Sequence, residues 1–535
     1  MRALTFVLLS AVLAGCTVGR VAQSHDVLRF DLDSDPPSLN AMLVDNPNSV
    51  AIDELMDGYL LRSDDRGRLI PDMAVRVPTV ANGDLSADGR RIVYRLRHGV
   101  TWHDGAPFTS QDVVFSFQAA MNPRVNVPDR SGFDDVERVV ARDHYTVEVR
   151  LRHPYAPAIE TFFALSANVP YPILPAHKIA SATVLEHPPF DAHDVGLGPY
   201  RLVKWARGDR LVFEANPKYW RGPPKIARIE LPIVPNQNAE FNLFRTGAID
   251  LTGLTGDVQL LQEMQKLSGV RIQFYDLNLI RYLVLQRERP IFRDIRIRQA
   301  LVAALDRPNF MRRLRGVFYS PGDGDRLPGA LGYDPTLHQP GYDLARAGAL
   351  LDAAGWTMHG TFREKNGERL SLELVTTTVP SAQRGAVLLQ AALRQAGIEV
   401  RVRSIASSVL YAPLGAGGTL QGGRFDLFLN GWLPGGVDDD SYLWRCDTRP
   451  PAGENYGRIC DADIDRWAKT ALASTDSNVQ AAMYRNIQRR LVRDTDIIFL
   501  GFSRGAYATR TSLAGFKPSR IGRSLWNSWE WHWTN

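Results

Sequence analysis

The stretch Asp88–Phe117, "DGRRIVYRLRHGVTWHDGAPFTSQDVVFSF", decides the fold of the first part of the chain, because its hydrophobic period changes halfway along. Ile92, Tyr94 and Leu96 share one face, and the residues between them are mostly arginines. This two-residue period is typical of an antiparallel strand with one buried face. The strand is predicted to enter a turn at "HDG".

A helix is predicted directly after that turn. The spacing of apolar residues over 108–120 is helical, and Thr109 or Ser110 is a suitable N-terminal cap. A second alternating run, "YTVEVRLR" at 145–152, predicts another half-buried strand. We therefore predict a mixed α+β unit over 63–195, which we call the α+β unit.

The second half of the chain has a different pattern. "SLELVTT" at 371–377 predicts a strand, 382–396 a helix ended by Gly397, and "IEVRVRSI" at 398–405 a second strand. This order is typical of a βαβ crossover in a parallel sheet. "FDLFL" at 425–429 adds a third strand. Further helices are predicted at 294–305, 342–354, 461–474 and 478–493.

The composition is that of a globular protein. The chain has 535 residues, of which 44% are hydrophobic and 23% charged, and this length suffices for two or three domains. The net charge is +5, and the basic residues are interleaved with acids. Because no block of Lys or Arg is present, a nucleic-acid partner is not expected.

The N-terminus resembles a bacterial export signal. "MRALTFVLLSAVLAGC" combines one arginine with an apolar run, Leu4–Leu13, that is too short to span a bilayer. Its ending resembles a lipobox, which predicts a signal peptide at 1–15, acylation of Cys16 and a polar tether at 17–25. The protein is then extracytoplasmic and anchored to a membrane by lipid. The alternative is an ordinary signal peptide with an incidental cysteine. No later segment is long and apolar enough to cross a membrane.

Cys446 and Cys460 are the two remaining cysteines. In an oxidising compartment they form a plausible disulfide, whose loop of about 15 residues stabilises by roughly 3 kcal/mol in the chain-entropy model. A metal pair is less favoured, because no His or third Cys lies near them.

One enzyme motif is present. "GFSRG", Gly501–Gly505, matches the G-x-S-x-G nucleophile elbow, which requires a helix directly after it. The following residues are β-branched and interrupted by glycine, so a strand or loop is predicted. After Ser503 the only acid is Glu530 and the only histidine is His532, two residues apart. A serine hydrolase is therefore disfavoured, and the protein is predicted not to be an enzyme.

No metal or cofactor motif is convincing. His98, His103 and Asp104 lack helical spacing, so a surface turn is favoured over a metal site. The three aspartates at 438–440 lack the spacing and glycine of a calcium loop. The sequence has no P-loop and no H-E-x-x-H motif, so neither a cofactor nor a metal is predicted.

Several stretches together resemble one family, the extracytoplasmic solute-binding proteins of peptide-type ABC importers, the oligopeptide, dipeptide and nickel-binding group. The stretch at 88–117 is the most similar, to the family signature around "LRdGVkFhDGtPltAeDV". The other matching stretches follow the family's order over nearly the whole chain after Cys16: "DSDPPSLNAM", "DGYLLRSDDRGRLIPDMA", "GLGPYRLVKWARGDRLVFEANPKYW", "FRTGAIDL", "FRDIRIRQALVAALDR" and "ARAGALLDAAGW".

The resemblance implies an α/β fold of two lobes joined by hinge strands, with an extra α+β domain. It implies capture of a small solute between the lobes and delivery to the membrane permease subunits of an ABC importer, by a monomer. The implied parts are lobe I at 26–62, 196–280 and 503–535, the extra domain at 63–195, and lobe II at 281–502.

The resemblance also points to one end of the ligand site. Peptide binders of the family have a pattern of about G-W-x-x-D-Y-x-D-P, whose first Asp pairs with the peptide's ammonium group. Gly431 and Trp432 match this pattern, but Gly435 stands in place of that Asp. Asp438 matches the second Asp, and Asp439 replaces the Pro.

A buried ammonium group requires a paired anion. Either Asp438, Asp439 or Asp440 therefore replaces the missing acid, or the ligand carries no ammonium there; a solvated loop is the plain alternative. Trp432 is predicted to form an apolar wall or stacking surface, with a core tryptophan as the alternative.

At the other end of the ligand, some dipeptide binders of the family use an arginine for the C-terminal carboxylate, and the resemblance places Arg384 close to that region. Arg384 lies in the first turn of the predicted 382–396 helix, where an arginine fork and a helix N-terminus suit a carboxylate or phosphate. A plain surface arginine is the alternative. Asp35 is a candidate for contacts to the ligand backbone. The ligand is predicted to be a peptide or peptide-like, and Gly435 keeps open an oligosaccharide, an opine-like compound or a metal chelate. A sensor or chaperone without a transporter is a further alternative.

Overall fold

The computed structural model of the protein describes residues 26–179, 195–254, 256–433 and 439–534. The helices described are α1 Pro47–Met56, α2 Ser110–Met121, α3 Ala158–Thr161, α4 Ala176–Ile179, α5 Gln237–Thr246, α6 Val258–Gln265, α7 Ile295–Ala303, α8 Arg307–Arg315, α9 Leu344–Ala353, α10 Pro380–Arg394, α11 Ser407–Leu410, α12 Ala462–Ala473 and α13 Ser477–Arg493.

The strands described are β1 Val27–Arg29, β2 Leu61–Ser63, β3 Leu69–Pro71, β4 Arg91–Arg95, β5 Val136–Asp143, β6 Thr146–Leu151, β7 Tyr200–Ala206, β8 Arg210–Ala215, β9 Arg228–Pro232, β10 Leu251–Leu254, β11 Val270–Leu285, β12 Tyr319–Ser320, β13 Thr357–His359, β14 Phe362–Lys365, β15 Glu368–Arg369, β16 Ser371–Thr377, β17 Glu399–Ile405, β18 Leu427–Trp432, β19 Ile497–Arg510, β20 Leu513–Ala514 and β21 His532–Trp533.

The α+β unit folds as its hydrophobic period predicts. β4 pairs antiparallel with β6, and β5 completes the sheet on the other side of β6. Ile92 and Tyr94 point into the core and are fully buried. α2 begins after Thr109, whose hydroxyl and the Asp112 carboxylate form a capping box. The alternating strands and the capped helix are therefore confirmed.

The βαβ crossover is also confirmed. β16 and β17 are parallel neighbours joined through α10, and β18 lies parallel to β16 on its other side. α10 begins at Pro380 rather than at 382, because proline at the first helical position loses no hydrogen bond and has a suitable φ. α7, α9, α12 and α13 correspond to the four further predicted helices.

Two long strands run through the middle of the molecule. β11 and β19 have 16 and 14 residues and pair antiparallel, with a register shift between Asp276 and Ile280. β10 pairs with the end of β19 near Thr509, whereas β18 pairs with the end of β11 that follows Ile280. One sheet therefore carries strands from both halves of the chain. The predicted lobe boundaries at 280/281 and 502/503 fall in these strands and stay a prediction.

Some predictions lie outside the described residues. The signal peptide, Cys16 and the tether precede residue 26. Within the ranges that the structure describes, no helix has the length and apolar character needed to span a bilayer. Cys446 and Cys460 are joined by a disulfide that closes the segment before α12.

Candidate functional site

The candidate site lies at one edge of the large sheet. β16, β17 and β18 are parallel to one another, so their carboxyl ends meet at the same edge. In open α/β sheets the ligand binds in the crevice outside these ends. The chain leaving them carries Arg384 in α10, Tyr411 after α11, and Trp432 at the end of β18. The topology thus brings together residues that are far apart in the sequence.

Trp432 lies between the core and this edge. It stands opposite Ile280 in β11, and its ring packs edge-on against Tyr442 at a centroid distance of 5.3 Å. Its indole Nε1 is buried and has no hydrogen-bond partner among the residues that the structure describes. Because buried N–H groups are nearly always paired in folded proteins, this donor is a candidate contact for a bound ligand.

The three aspartates have different surroundings. Asp438 and Gly435 lie outside the described residues. Asp440 is buried, and Arg326 Nη2 donates to its Oδ1 at 2.7 Å. Desolvation nevertheless raises the pKa of Asp440 well above its usual value, against the opposing effect of Arg326. Asp440 is therefore engaged inside the protein and unsuited to bind a ligand.

Asp439 faces a cavity of about 300 Å³ between the α+β unit and the segment after β18. Tyr155, Asn168 and Tyr171 of the α+β unit contribute to its lining, and we call it the Asp439 cavity. The Asp439 carboxylate accepts a hydrogen bond from Ser441 N at 3.1 Å, and it has no ion pair among the described residues. Burial raises its pKa. Asn168 Oδ1 is also buried without a partner among the described residues, so the cavity presents acceptors to a cation. Arg445 lines the same cavity and partly opposes the raised pKa of Asp439.

Three arginines form a second charged group at the same edge. Arg384 is exposed in α10, Arg315 ends α8, and Arg281 lies in β11. Burial and then the neighbouring Arg384 lower the pKa of Arg315. Burial and then Arg315 lower the pKa of Arg281 to about 10. We call these three residues the arginine cluster.

Two glycines explain how the arginine cluster assembles. A Cβ at Gly385 of α10 would lie 2.9 Å from Leu429 Cδ2 and 3.4 Å from a methyl of Leu314, so α8 and α10 pack closely against β18. Their neighbours in the sequence, Arg315 and Arg384, are thereby brought together. Gly431 stands opposite Arg281 in the sheet, where a Cβ would overlap Arg281 Nη1.

Sequence reasoning missed several of these residues. Arg281 and Arg315 carry no motif of their own, and the glycine that faces Arg281, Gly431, lies on another strand far along the chain. Tyr155 and Asn168 belong to the α+β unit, which the resemblance did not connect with the ligand. Their role depends on contacts between distant segments, which the sequence alone did not display.

Asp35 is placed elsewhere. Its carboxylate accepts hydrogen bonds from Trp205 Nε1 at 3.1 Å and from the backbone N–H of Gly208. Both donors belong to the β7–β8 hairpin, which Asp35 therefore helps to hold. The structure does not bring it together with Trp432 or Asp439.

The enzyme motif lies inside a strand. Ser503 is 1% exposed in the middle of β19, and its Oγ accepts a hydrogen bond from Arg281 Nε at 2.9 Å. A nucleophile elbow requires a sharp strand-to-helix turn with an exposed hydroxyl, and neither is present there. The only histidine after it, His532, contacts the backbone oxygen of Glu530.

His103 and Asp104 of the first predicted turn have structural roles. His103 Nε2 contacts Gly198 O at 3.0 Å, and its Nδ1 accepts from Gly196 N at 3.1 Å. Asp104 accepts from His177 Nε2 at 2.8 Å. In the part of the chain that the structure describes, no group of three or more His, Cys, Asp or Glu residues is placed to hold a metal.

Comparison with known proteins agrees with this architecture. The model of the family described as bacterial extracellular solute-binding proteins, family 5 (middle region), matches residues 69–453. Protein XP55 of Streptomyces lividans is 30% identical over 480 residues, covering 88% of this chain and 83% of XP55. Di/tripeptide-binding protein 2 of Pseudomonas aeruginosa is 26% identical over 476 residues, covering 84% and 85% of the two chains.

A solved structure confirms the fold class. NikA from Brucella suis, in complex with Fe(III)-EDTA, aligns with a TM-score of 0.81 and 22% identity, over 95% of this chain and 100% of NikA. At this identity the likeness concerns the fold, which is the two-lobed α/β architecture predicted above. The resemblance inferred from the sequence motifs is confirmed. The chain belongs to the bacterial extracellular solute-binding proteins of family 5, the solute-binding components of ABC importers.

Proposed function

We propose that the protein binds a peptide or peptide-like solute between its two lobes and delivers it, chemically unchanged, to the membrane subunits of an ABC importer. The observation that carries this proposal is the Asp439 carboxylate, which is partly buried and lines a cavity without an ion pair among the described residues. A desolvated carboxylate is costly unless a cation joins it. A peptide ammonium group supplies that cation.

The rest of the site suits the remainder of such a ligand. Trp432 offers a ring and an N–H without a partner in the described part of the chain, and Arg384 offers a guanidinium group near the start of α10. The helix N-terminus there has no side-chain cap, which also favours an anion. We therefore assign the ammonium end to Asp439 and the carboxylate end to Arg384. Asp439 then takes over the role of the acid that Gly435 replaces.

Ligand binding would favour closure of lobe II against the α+β unit. The Asp439 cavity is lined by Tyr155 and Asn168 on one side and by Asp439 and Tyr442 on the other. Only an arrangement with both sides together can make every contact, so a ligand shifts the population toward it. The lobes at 26–62, 196–280, 503–535 and at 281–502, with the extra domain at 63–195, remain part of this proposal.

Export and anchoring belong to the same proposal. A signal peptide at 1–15 and acylation of Cys16 would hold the protein at a membrane through the tether at 17–25, near the permease subunits it serves. Metabolic labelling with a fatty acid tests this directly. We expect incorporation that is lost in Cys16→Ser, and labelling of the Cys16→Ser variant would refute it.

Two measurements test the ligand class. Native mass spectrometry of the purified protein identifies any ligand that co-purifies. A thermal-shift screen then compares di- to pentapeptides, oligosaccharides and a nickel–histidine chelate. A peptide at 100 times its dissociation constant should stabilise by about 2.7 kcal/mol. A shift with the sugar or the chelate and none with peptides would refute the peptide proposal and support the alternative that Gly435 keeps open.

A further inference from the structure

We propose that the anionic end of the ligand carries two negative charges, and that Arg281, Arg315 and Arg384 bind them together. This inference rests on the proposed function and narrows it to peptides whose C-terminal residue is acidic, so that the terminal and side-chain carboxylates lie close together. The group that the arginine cluster would recognise is a pair of neighbouring carboxylates, which a peptide with an acidic C-terminal residue and a free dicarboxylate both carry.

The arginine cluster has more positive charge than one carboxylate neutralises. None of its three guanidinium groups has a carboxylate within ion-pairing distance among the described residues, although arginines elsewhere in the chain form many such pairs. Arg315 Nε is buried and has no hydrogen-bond partner within the described ranges. Arg281 makes one side-chain hydrogen bond, to the uncharged Ser503. Partly buried guanidinium groups in this state favour an external anion.

The three charges act as one group. Burial and then Arg384 lower the pKa of Arg315, and burial and then Arg315 lower the pKa of Arg281, so the neighbouring guanidinium groups repel each other. A single carboxylate has two oxygens and one charge. It therefore pairs with one guanidinium group and leaves the repulsion between the other two largely in place. A second carboxylate removes more of it. The ligand with two anionic groups is therefore the better complement.

The arginine cluster lies close to the backbone of the first half of the chain. Arg315 lies against Gly256, whose φ of +91° is a glycine conformation, and a Cβ there would be 3.3 Å from Arg315 Cζ. Gly256 belongs to the first half of the chain, just after β10, whereas Arg315 and Arg384 belong to the second half. Both halves of the chain thus border the cluster, as the two sides of a closing ligand site would.

Calorimetry with three probes tests the proposal: Ala-Ala-Ala, Ala-Ala-Glu and free glutarate. For the wild type we expect Ala-Ala-Glu to bind at least about tenfold more tightly than Ala-Ala-Ala, a preference that weakens with added salt. Arg315→Gln should reduce that preference to about threefold or less. Arg313→Gln is the matched control, because Arg313 lies on the same helix, is exposed, and forms no ion pair with a described residue.

A second variant, Gly431→Ala, tests the geometry of the arginine cluster, and the melting temperature of Arg315→Gln tests whether that substitution disturbs folding. Gly431→Ala keeps all three charges but places a methyl group against Arg281 Nη1, so it should displace that guanidinium and lower the preference as well. Arg315→Gln removes an unpaired, partly buried charge, so the ligand-free protein should melt at the same or a higher temperature. If Arg315→Gln lowered the melting temperature of the ligand-free protein and left the preference for Ala-Ala-Glu over Ala-Ala-Ala unchanged, the proposal would be overturned.

The remaining outcomes distinguish this proposal from the function on which it rests. Equal affinity of the wild type for Ala-Ala-Ala and Ala-Ala-Glu overturns the two-charge site and leaves peptide binding intact. Glutarate binding that depends on Arg315, without peptide binding, supports the two-charge site and refutes the peptide function. Absence of binding by all three probes overturns both.

Discussion

Replacing Asp439 with Asn removes one charge and almost no volume from the Asp439 cavity. The amide oxygen of Asn can still accept from Ser441 N–H, which the carboxylate accepts at 3.1 Å, so the loop should keep its conformation. A ligand ammonium at about 4 Å from the carboxylate gains about 4 kcal/mol at an effective dielectric constant of about 20. We therefore expect Asp439→Asn to weaken binding of a free peptide by up to about a thousandfold.

The same substitution should stabilise the ligand-free protein. Burial raises the folded-state pKa of Asp439 above the usual value of 3.8, so the folded protein binds protons more readily than the unfolded chain. The free energy of unfolding then falls as the pH rises from about 4 through the raised pKa. Asn does not titrate, so this loss disappears. At pH 7 to 8 the variant should melt at a higher temperature than the wild type.

Calorimetry with Ala-Ala and N-acetyl-Ala-Ala measures the first effect, and thermal unfolding at pH 4 and pH 8 measures the second. The wild type should prefer the free amine strongly, and Asp439→Asn should bind both dipeptides weakly and almost equally. Glu368→Gln is the control, because Glu368 is an exposed carboxylate in β15 without an ion pair to a described residue. A wild type that does not distinguish the two dipeptides would refute the assignment of Asp439.

Three further predictions concern other parts of the chain. Burial lowers the pKa of His103 from 6.5 to about 4. Because protonation of this buried histidine is then unfavourable, the free energy of unfolding should fall by about 3 kcal/mol as the pH drops from 6.5 to 4, and His103→Gln should reduce this loss in thermal unfolding curves. Opening the loop between Cys446 and Cys460 by a double Cys→Ser substitution should cost about 3 kcal/mol, measured as a lower melting temperature, and an unchanged value would contradict it. An active-site phosphonate should not label Ser503, because its hydroxyl is buried and bound to Arg281; labelling detected by mass spectrometry would refute this.

The local parts of the fold followed from the sequence because their signals are local. The alternation at Ile92 and Tyr94, the cap at Thr109 and the helical spacing of α10 each depend on neighbouring residues. The predicted start of α10 is two residues late, because proline and serine before an apolar face are as typical of a loop as of a first helical turn.

The candidate site was harder to predict because it depends on distant contacts. Asp439 and Asp440 are identical neighbours in the sequence, yet one faces a cavity and the other pairs with Arg326, 114 residues away. Asp35 resembled a ligand contact, but its partner Trp205 lies 170 residues along the chain. Arg281 and Arg315 come near each other in a region where two glycines, Gly385 and Gly431, allow close packing. No periodicity or spacing encodes such contacts.

The two charged groups couple the halves of the molecule at different places. Asp439 faces Tyr155 and Asn168 of the α+β unit, whereas Arg315 faces Gly256, next to β10. A solute with only an amine, or only an acid, would hold one of these contacts and leave the other charge group desolvated and unpaired. A solute with both ends satisfies both groups, and its free energy of binding then favours the fully closed arrangement. Under the proposed function, the two groups of opposite charge therefore select which solutes produce the closed form that the importer would recognise.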